Sequence, residues 1–233
     1  MKKNVDDQGF VDYEGIRSKN GGDLKKYLML LENADLSKCN EKEQLAFWIN
    51  AYNAHAIQFI LNRPKLKKVS DDFNIFKEKF KVRKIELSLD EIENRVIRAN
   101  KRRGGPIEGI SLPNLNHRIH FALVCAAIDC PPLINRAYDP STLDETLKEN
   151  ELRFVNSSKH LKIENDTVVI SSLMKWYEED FRGFGGTGVY LSSLTDPTLR
   201  PDADLIDQKL KTDFPAKVKY QYDWTLNSVL NKP

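Results

Sequence analysis

Between Asn40 and Pro64 the chain carries a helix apolar enough to dictate the rest of the fold. Asn40 followed three residues later by Glu43 is a capping-box start, each side chain satisfying the other residue's backbone amide. Leu45, Trp48, Ile49, Tyr52, Ala56, Phe59 and Ile60 then recur at helical spacing on one face. Pro64 closes the run, because proline lacks the amide donor and clashes with the turn before it. A helix with Trp48, Tyr52 and Phe59 on its inner face must be covered by other elements, so Asn40 to Leu61 is expected at the centre of the molecule. A shorter helix over Asp23 to Ala34 is expected ahead of it.

The remaining elements read less strongly. Ser88 with Glu91 repeats the capping-box pattern and opens a helix to about Arg98, and Thr142 with Glu145 opens another carrying Leu143, Leu147, Phe154 and Val155. Leu161–Glu164 and Thr167–Ile170 flank Asn165-Asp166, the signature of a two-residue hairpin turn. Val218, Tyr220, Tyr222 and Trp224 alternate as a strand. No internal repeat, low-complexity tract or long linker interrupts the chain. The expectation is a single α+β domain over residues 1–233, helix-dominated with a small antiparallel sheet, residues 1–21 being a loosely ordered N-terminal segment.

Composition excludes several function classes. Thirty-six basic against 34 acidic side chains leave a net charge of +2, which gives no electrostatic footprint for nucleic acid. The densest basic run, Lys101-Arg102-Arg103, precedes Gly104-Gly105-Pro106 and reads as a solvated helix end. No apolar stretch approaches the roughly 20 residues needed to cross a bilayer. Met1-Lys2-Lys3 resembles the start of a secretory leader, but Asn4 to Gln8 supply no apolar region. Both an internal protein and a mature exported one fit. Cys39, Cys125 and Cys130 cannot form a disulfide framework, though one bridge can exist.

A few residues can carry chemistry. Steps of about 100° per residue put Glu93 among Leu89, Val96 and Ile97, within an apolar stripe. A carboxylate there is costly unless paired or protonated. It is either a structural partner or an acid, base or orienting group. Cys130, ahead of Pro131-Pro132, is expected to cap a short helix whose dipole would favour the thiolate; a buried inert thiol is the alternative. His120 lies in a buried run from Ile119 to Ala127, expected as a helix capped by Asn116. A direct Cys130–His120 dyad needs the chain to fold back sharply at Ala127-Ile128-Asp129, because ten helical residues rise about 15 Å. Asn53 and His55 flank opposite sides of the long helix's apolar stripe, with Asn50 farther round. Buried asparagines mostly cross-link backbone, and Asn53 can also orient an imidazole or donate to an oxyanion. His117, His120, Cys125 and Cys130 match no common zinc spacing, so no metal or other cofactor is expected. Gly183, Gly185, Gly186 and Gly188 read as a surface loop, and Trp48, Trp176 and Trp224 as core anchors.

Four separated words, Phe47-Trp48-Ile49-Asn50-Ala51-Tyr52-Asn53-Ala54, Arg118 to Cys125, Asp129-Cys130-Pro131-Pro132-Leu133 and Tyr222 to Asn227, resemble in this order the domain-of-unknown-function family numbered 547, found in bacteria and plants. The resemblance extends from Gly9-Phe10-Val11-Asp12-Tyr13 through Trp176 to Phe181. It implies no settled activity. It does lend the Ser88 to Glu93 segment a functional reading, although relatives often place a histidine where Asn94 stands. Many bacterial relatives look exported. Together these features point to a thiol-dependent hydrolase or acyltransferase using Cys130, His120 and Glu93, with Asn50 and Asn53 toward the substrate. Its core would then be a rearranged papain- or transglutaminase-like one, since His120 precedes Cys130. The alternative is a non-catalytic binding or scaffold module with a polar structural core. A small molecule or peptide is the expected ligand, and neither nucleic acid nor a membrane span is expected.

Overall fold

A computed structural model describes residues 3–99 and 104–232. The basic run Lys101-Arg102-Arg103 lies outside the described residues. Contacts divide the chain into two compact units, one built from the chain up to Thr146 together with the segment from Trp224 onward, the other from Leu147–Asp223. The class is α+β, dominated by helix.

In the first unit, a one-turn helix α1 (Tyr13–Gly15), capped by the Asp12 carboxylate, runs through a wider π turn (Ile16–Asn20) into α2 (Gly21–Glu32). Then comes α3 (Glu41–Leu61), which starts as its sequence demands. The Asn40 side chain accepts from the Glu43 amide at 3.1 Å and the Glu43 carboxylate accepts from the Asn40 amide at 2.7 Å. Every residue from Ala51 to Ile57 is buried, so α3 is covered on all sides, as a central helix must be. A hairpin follows, β1 (Phe80–Val82) paired antiparallel with β2 (Ile85–Leu87). Its turn residues Arg83 and Lys84 both have positive φ, 51° and 60°, as a primed two-residue turn requires. The same turn caps α2, the Arg83 and Lys84 amides donating to the Leu31 and Glu32 carbonyls at 3.0 and 2.8 Å. Ser88 opens α4 (Leu89–Glu91) through the expected capping box, and the helix widens into a π segment, Ile92–Ile97.

The C-terminal Trp224-to-Asn227 word is structural mortar for this unit. It bridges to residues 67–69 on one side and 126–128 on the other. On one side Val69 and Leu226 exchange backbone bonds with Trp224 and Lys67 at 2.8 and 2.9 Å. On the other, Ile128 donates to Thr225 at 2.7 Å and Asn227 to Ala126 at 2.8 Å. The Tyr13 hydroxyl donates to the Asn227 side chain at 2.7 Å.

In the second unit, most of α5 (Leu143–Val155) precedes the hairpin of β3 (Leu161–Glu164) and β4 (Thr167–Ser171), whose turn is the expected Asn165-Asp166 with φ 47° and 63°. Three helices follow: α6 (Leu173–Trp176), α7 (Thr187–Leu194) and α8 (Ala203–Thr212). Then β5 (Val218–Gln221) pairs with β4 in parallel, so the sheet is mixed rather than antiparallel throughout. The reason is the long helical crossover between β4 and β5, which is what parallel pairing needs.

Other expectations are corrected locally. Thr142 does not cap α5. Asp139 caps a preceding 3-10 turn, Pro140–Thr142, that feeds α5, and its carboxylate accepts from the Ser141 amide at 2.8 Å. Proline at the first position of that turn loses no hydrogen bond there, which is why the start slides upstream. The glycine run is not one loop. Gly185 and Gly186, at φ 84° and 91°, break between a 3-10 segment and α7, whereas Gly188 lies inside α7. A Cβ on Gly188 would lie 2.8 Å from the Phe214 ring. Trp48 is fully buried, but Trp176 is 46% exposed, so it is no core anchor.

Candidate functional site

Helices α2 and α3 pack together within the first unit and present two matching rows of side chains. On α2 and the Asn20 that precedes it, Asn20, Asp23, Leu24 and Tyr27 recur at helical spacing; on α3, Asn50, Asn53, Ala54 and Ile57 do the same. Between these rows lies a cavity of about 620 Å³, closed further by Lys3 to Val5 and by residues Leu133 and 135–138. That volume lies within the range of small-ligand pockets. The walls at Val5, Ile16, Ala54, Ile57 and Leu133 are buried and apolar, whereas Lys3, Asp23 and Arg136 sit exposed at the rim.

The two asparagines expected near a substrate both line this cavity, and both also clamp loop backbone. Asn50 donates to the Tyr138 carbonyl and accepts from the Tyr138 amide, each at 2.9 Å. Asn53 donates to the Ala122 carbonyl at 2.9 Å and accepts from the Val124 amide at 2.9 Å. Each carboxamide imitates a strand edge, Asn50 for the backbone of buried Tyr138 and Asn53 for the buried Ala122–Val124 stretch. Each keeps one further N–H and one lone pair after these bonds. The Tyr27 hydroxyl makes no hydrogen bond to any described residue, and burial pushes its pKa up, which holds it protonated as a donor.

Glu93 is buried, as its place in the apolar stripe implied, and the Tyr52 hydroxyl approaches its carboxylate at 3.4 Å. His120 is 2% exposed, in a 3-10 turn His117–Phe121 capped by Asn116. The expected α-helix through Ala127 does not form. Beyond Leu123 the helical ladder stops: the Val124 amide goes to Asn53, the Ala126 carbonyl to Asn227 and the Ile128 amide to Thr225. Cys130 does not cap a helix either. Cys130 and Pro131 each precede a proline, which disfavours helical backbone for both, and the chain continues irregularly. The dipole argument for a thiolate falls with that helix. The chain does fold back at Ala127 to Asp129, and Cys125 and Cys130 are joined in a disulfide with Cα atoms 6.2 Å apart. A nucleophilic Cys130 therefore requires the reduced form.

Neighbouring positions of α3 thus hold two of the segments with chemistry, Tyr52 the Glu93 segment and Asn53 the chain between His120 and Cys125. Among the described residues, none of Glu93, His120 and Cys130 lines the 620 Å³ cavity. The cavity residues of α2, with Lys3, Leu133 and Arg136, went unnoticed in the sequence. The three-and-four spacing of Asn20, Asp23, Leu24 and Tyr27 was the available signal, but it also describes any surface helix. His55 faces elsewhere. Its ring stacks on Phe80 at 3.6 Å, its Nε2 has no hydrogen-bond partner, and burial lowers its pKa to about 4. No three His, Cys, Asp or Glu side chains among the described residues form a group able to hold a metal ion, and no described helix is long and apolar enough to cross a membrane.

Compared with known proteins, the chain matches the family model described as "Protein of unknown function, DUF547" over residues 36–155. That span contains α3, Glu93, His120 and the disulfide, and leaves out α2 and the C-terminal word. No curated protein and no solved structure matches, so a papain- or transglutaminase-like core has no solved fold behind it. With about half its length matched, the chain belongs to the DUF547 family.

Proposed function

We propose that the first unit is a small-molecule-binding module whose ligand occupies the cavity between α2 and α3. The observation that carries this reading is the cavity itself: buried apolar walls, two asparagine carboxamides fixed by the backbone they clamp, and an unbonded tyrosine hydroxyl. Apolar enclosure with a few oriented polar groups is the usual chemistry of ligand sites. The disulfide at Cys130 favours this over thiol catalysis. Ligand-detected NMR of the full chain against a set of small apolar fragments tests it. Binding should disappear in Leu24→Trp, which fills the half-exposed wall, while the far-UV circular dichroism stays as in the parent. No fragment binding, or binding indifferent to that substitution, overturns the reading.

A second reading, a thiol-dependent hydrolase or acyltransferase, draws support from Tyr52 and Asn53 anchoring the segments of Glu93 and His120. In it His120 takes the proton of the reduced Cys130 thiol, the sulfur attacks a carbonyl carbon, and the leaving group departs with that proton to give a thioester. Water or an acceptor nucleophile then cleaves the thioester to free the thiol, and Glu93 orients the imidazole. Electrophile labelling after reduction, followed across pH, tests it. Rapid labelling with a depressed thiol pKa at Cys130 supports the enzyme. Slow labelling with an ordinary profile removes it.

A further inference from the structure

We propose that the Cys125–Cys130 disulfide is a thiol-exchange site: a small external thiol attacks Cys125, forms a mixed disulfide there and releases Cys130 as a thiolate. Neither reading above is needed for this, although the exchange supplies the reduced Cys130 that the thiol reading requires.

The first observation is that the bond holds little together. Its cysteines are only five positions apart, and a cross-link over so short a loop restricts the unfolded chain least. The same stretch is already tied at three places by other partners. The Val124 amide donates to Asn53 at 2.9 Å, the Asn227 amide to the Ala126 carbonyl at 2.8 Å, and the Ile128 amide to the Thr225 carbonyl at 2.7 Å. Opening the bond therefore leaves the turn in place. With Cα atoms 6.2 Å apart, a separation that a disulfide spans, the two sulfurs stay close enough to join again. A pair held in this way can open and close without unfolding.

The second observation is an asymmetry between the two sulfurs. Cys130 is 3% exposed, whereas Cys125 is half-buried and keeps some contact with solvent. An entering thiol meets Cys125 first. The Cys125 amide also donates to Cys130 Sγ at 3.0 Å, and such a donor stabilises a thiolate. The sulfur that carries negative charge more readily is the faster leaving group in exchange. Access and leaving ability favour the same order.

In the first step an external thiolate bonds to Cys125 Sγ, and the electron pair of the S–S bond passes to Cys130 Sγ. In the second, another thiolate attacks the external sulfur of the mixed disulfide and releases Cys125 as a thiolate. Two external thiols are oxidised to one disulfide, and the protein takes up their two electrons and two protons.

Glutathione is the probe, used on the full chain with the free cysteine, Cys39, capped beforehand by N-ethylmaleimide. The reaction is stopped at partial conversion with more maleimide, and proteolytic cleavage before Asp129 separates the two positions for mass spectrometry. Glutathione on Cys125 with maleimide on Cys130 is expected in at least about tenfold excess over the reverse. Equal or reversed labelling, reduction that leaves no adduct on Cys125, or reaction only in urea overturns the proposal. Full reduction by dithiothreitol should leave the near-ultraviolet circular dichroism as it is in the oxidised protein. Loss of that signal would show that the bond holds the fold, and it overturns the proposal as well.

Discussion

The carboxamide of Asn53 does the work of a short strand, because Ala122 and Val124 sit in a stretch too irregular to pair with itself. His55, two residues on, shows the opposite case: a titratable ring buried on Phe80 with Nε2 unbonded. Its pKa falls to about 4 in the folded protein, against about 6.5 when exposed. The neutral ring is the folded form. The stability it contributes is therefore complete above about pH 6.5 and is lost as pH falls toward 4. Between pH 7 and 4.5 this one residue should cost the protein about 2–3 kcal/mol. Urea denaturation of His55→Phe should show that much less acid sensitivity than the parent. An unchanged difference would mean that the ring is already charged in the native state. Burial likewise depresses the pKa of His160 in the second unit, so the variant keeps part of its acid sensitivity.

Among elements, those with local chemistry were legible and those held by distant backbone were not. The Asn40–Glu43 and Ser88–Glu91 boxes and the Asn165-Asp166 turn each carry their own hydrogen bonds or dihedral demands within four residues, so the residues announce them. The Ala122 to Leu133 stretch has no such mark. Its small apolar residues suit a helix, but Asn53 and the segment around Thr225 take its amides and carbonyls. The Cys130 cap failed because proline's preference for a helix start was weighed without its effect on the residue before it. Glu93 was legible as a buried carboxylate. The cavity was not, since it needs two helix faces to meet and neither face alone is unusual. For α3 the expectation is quantitative. Trp48 is 0% exposed and its indole N–H has no acceptor, so its contribution is packing. Trp48→Ala should cost about 3–5 kcal/mol, read as a fall in melting temperature. An unchanged melting temperature would remove α3 from the centre of the core.

At the scale of the molecule, the first unit is discontinuous: its last segment follows the 77 residues of Leu147–Asp223. A chain ending at Asp223 retains α3 and both hairpins but loses the strand that joins residues 67–69 to 126–128. It should retain helical circular dichroism, lose near-ultraviolet signal from the first unit's aromatic residues, and bind a hydrophobic dye. A truncated chain with native near-ultraviolet signal would show that the Trp224 segment is dispensable. The same arrangement sets a timetable for synthesis. Because a ribosome delivers residues in order, the Lys67 carbonyl, Val69 amide, Ala126 carbonyl and Ile128 amide emerge before their partners in residues 224–227 and wait until the entire second unit has been made. During that interval the nascent first unit offers open edges to any chaperone or neighbouring chain. The last stitch, not the first helix, decides when the first unit is closed.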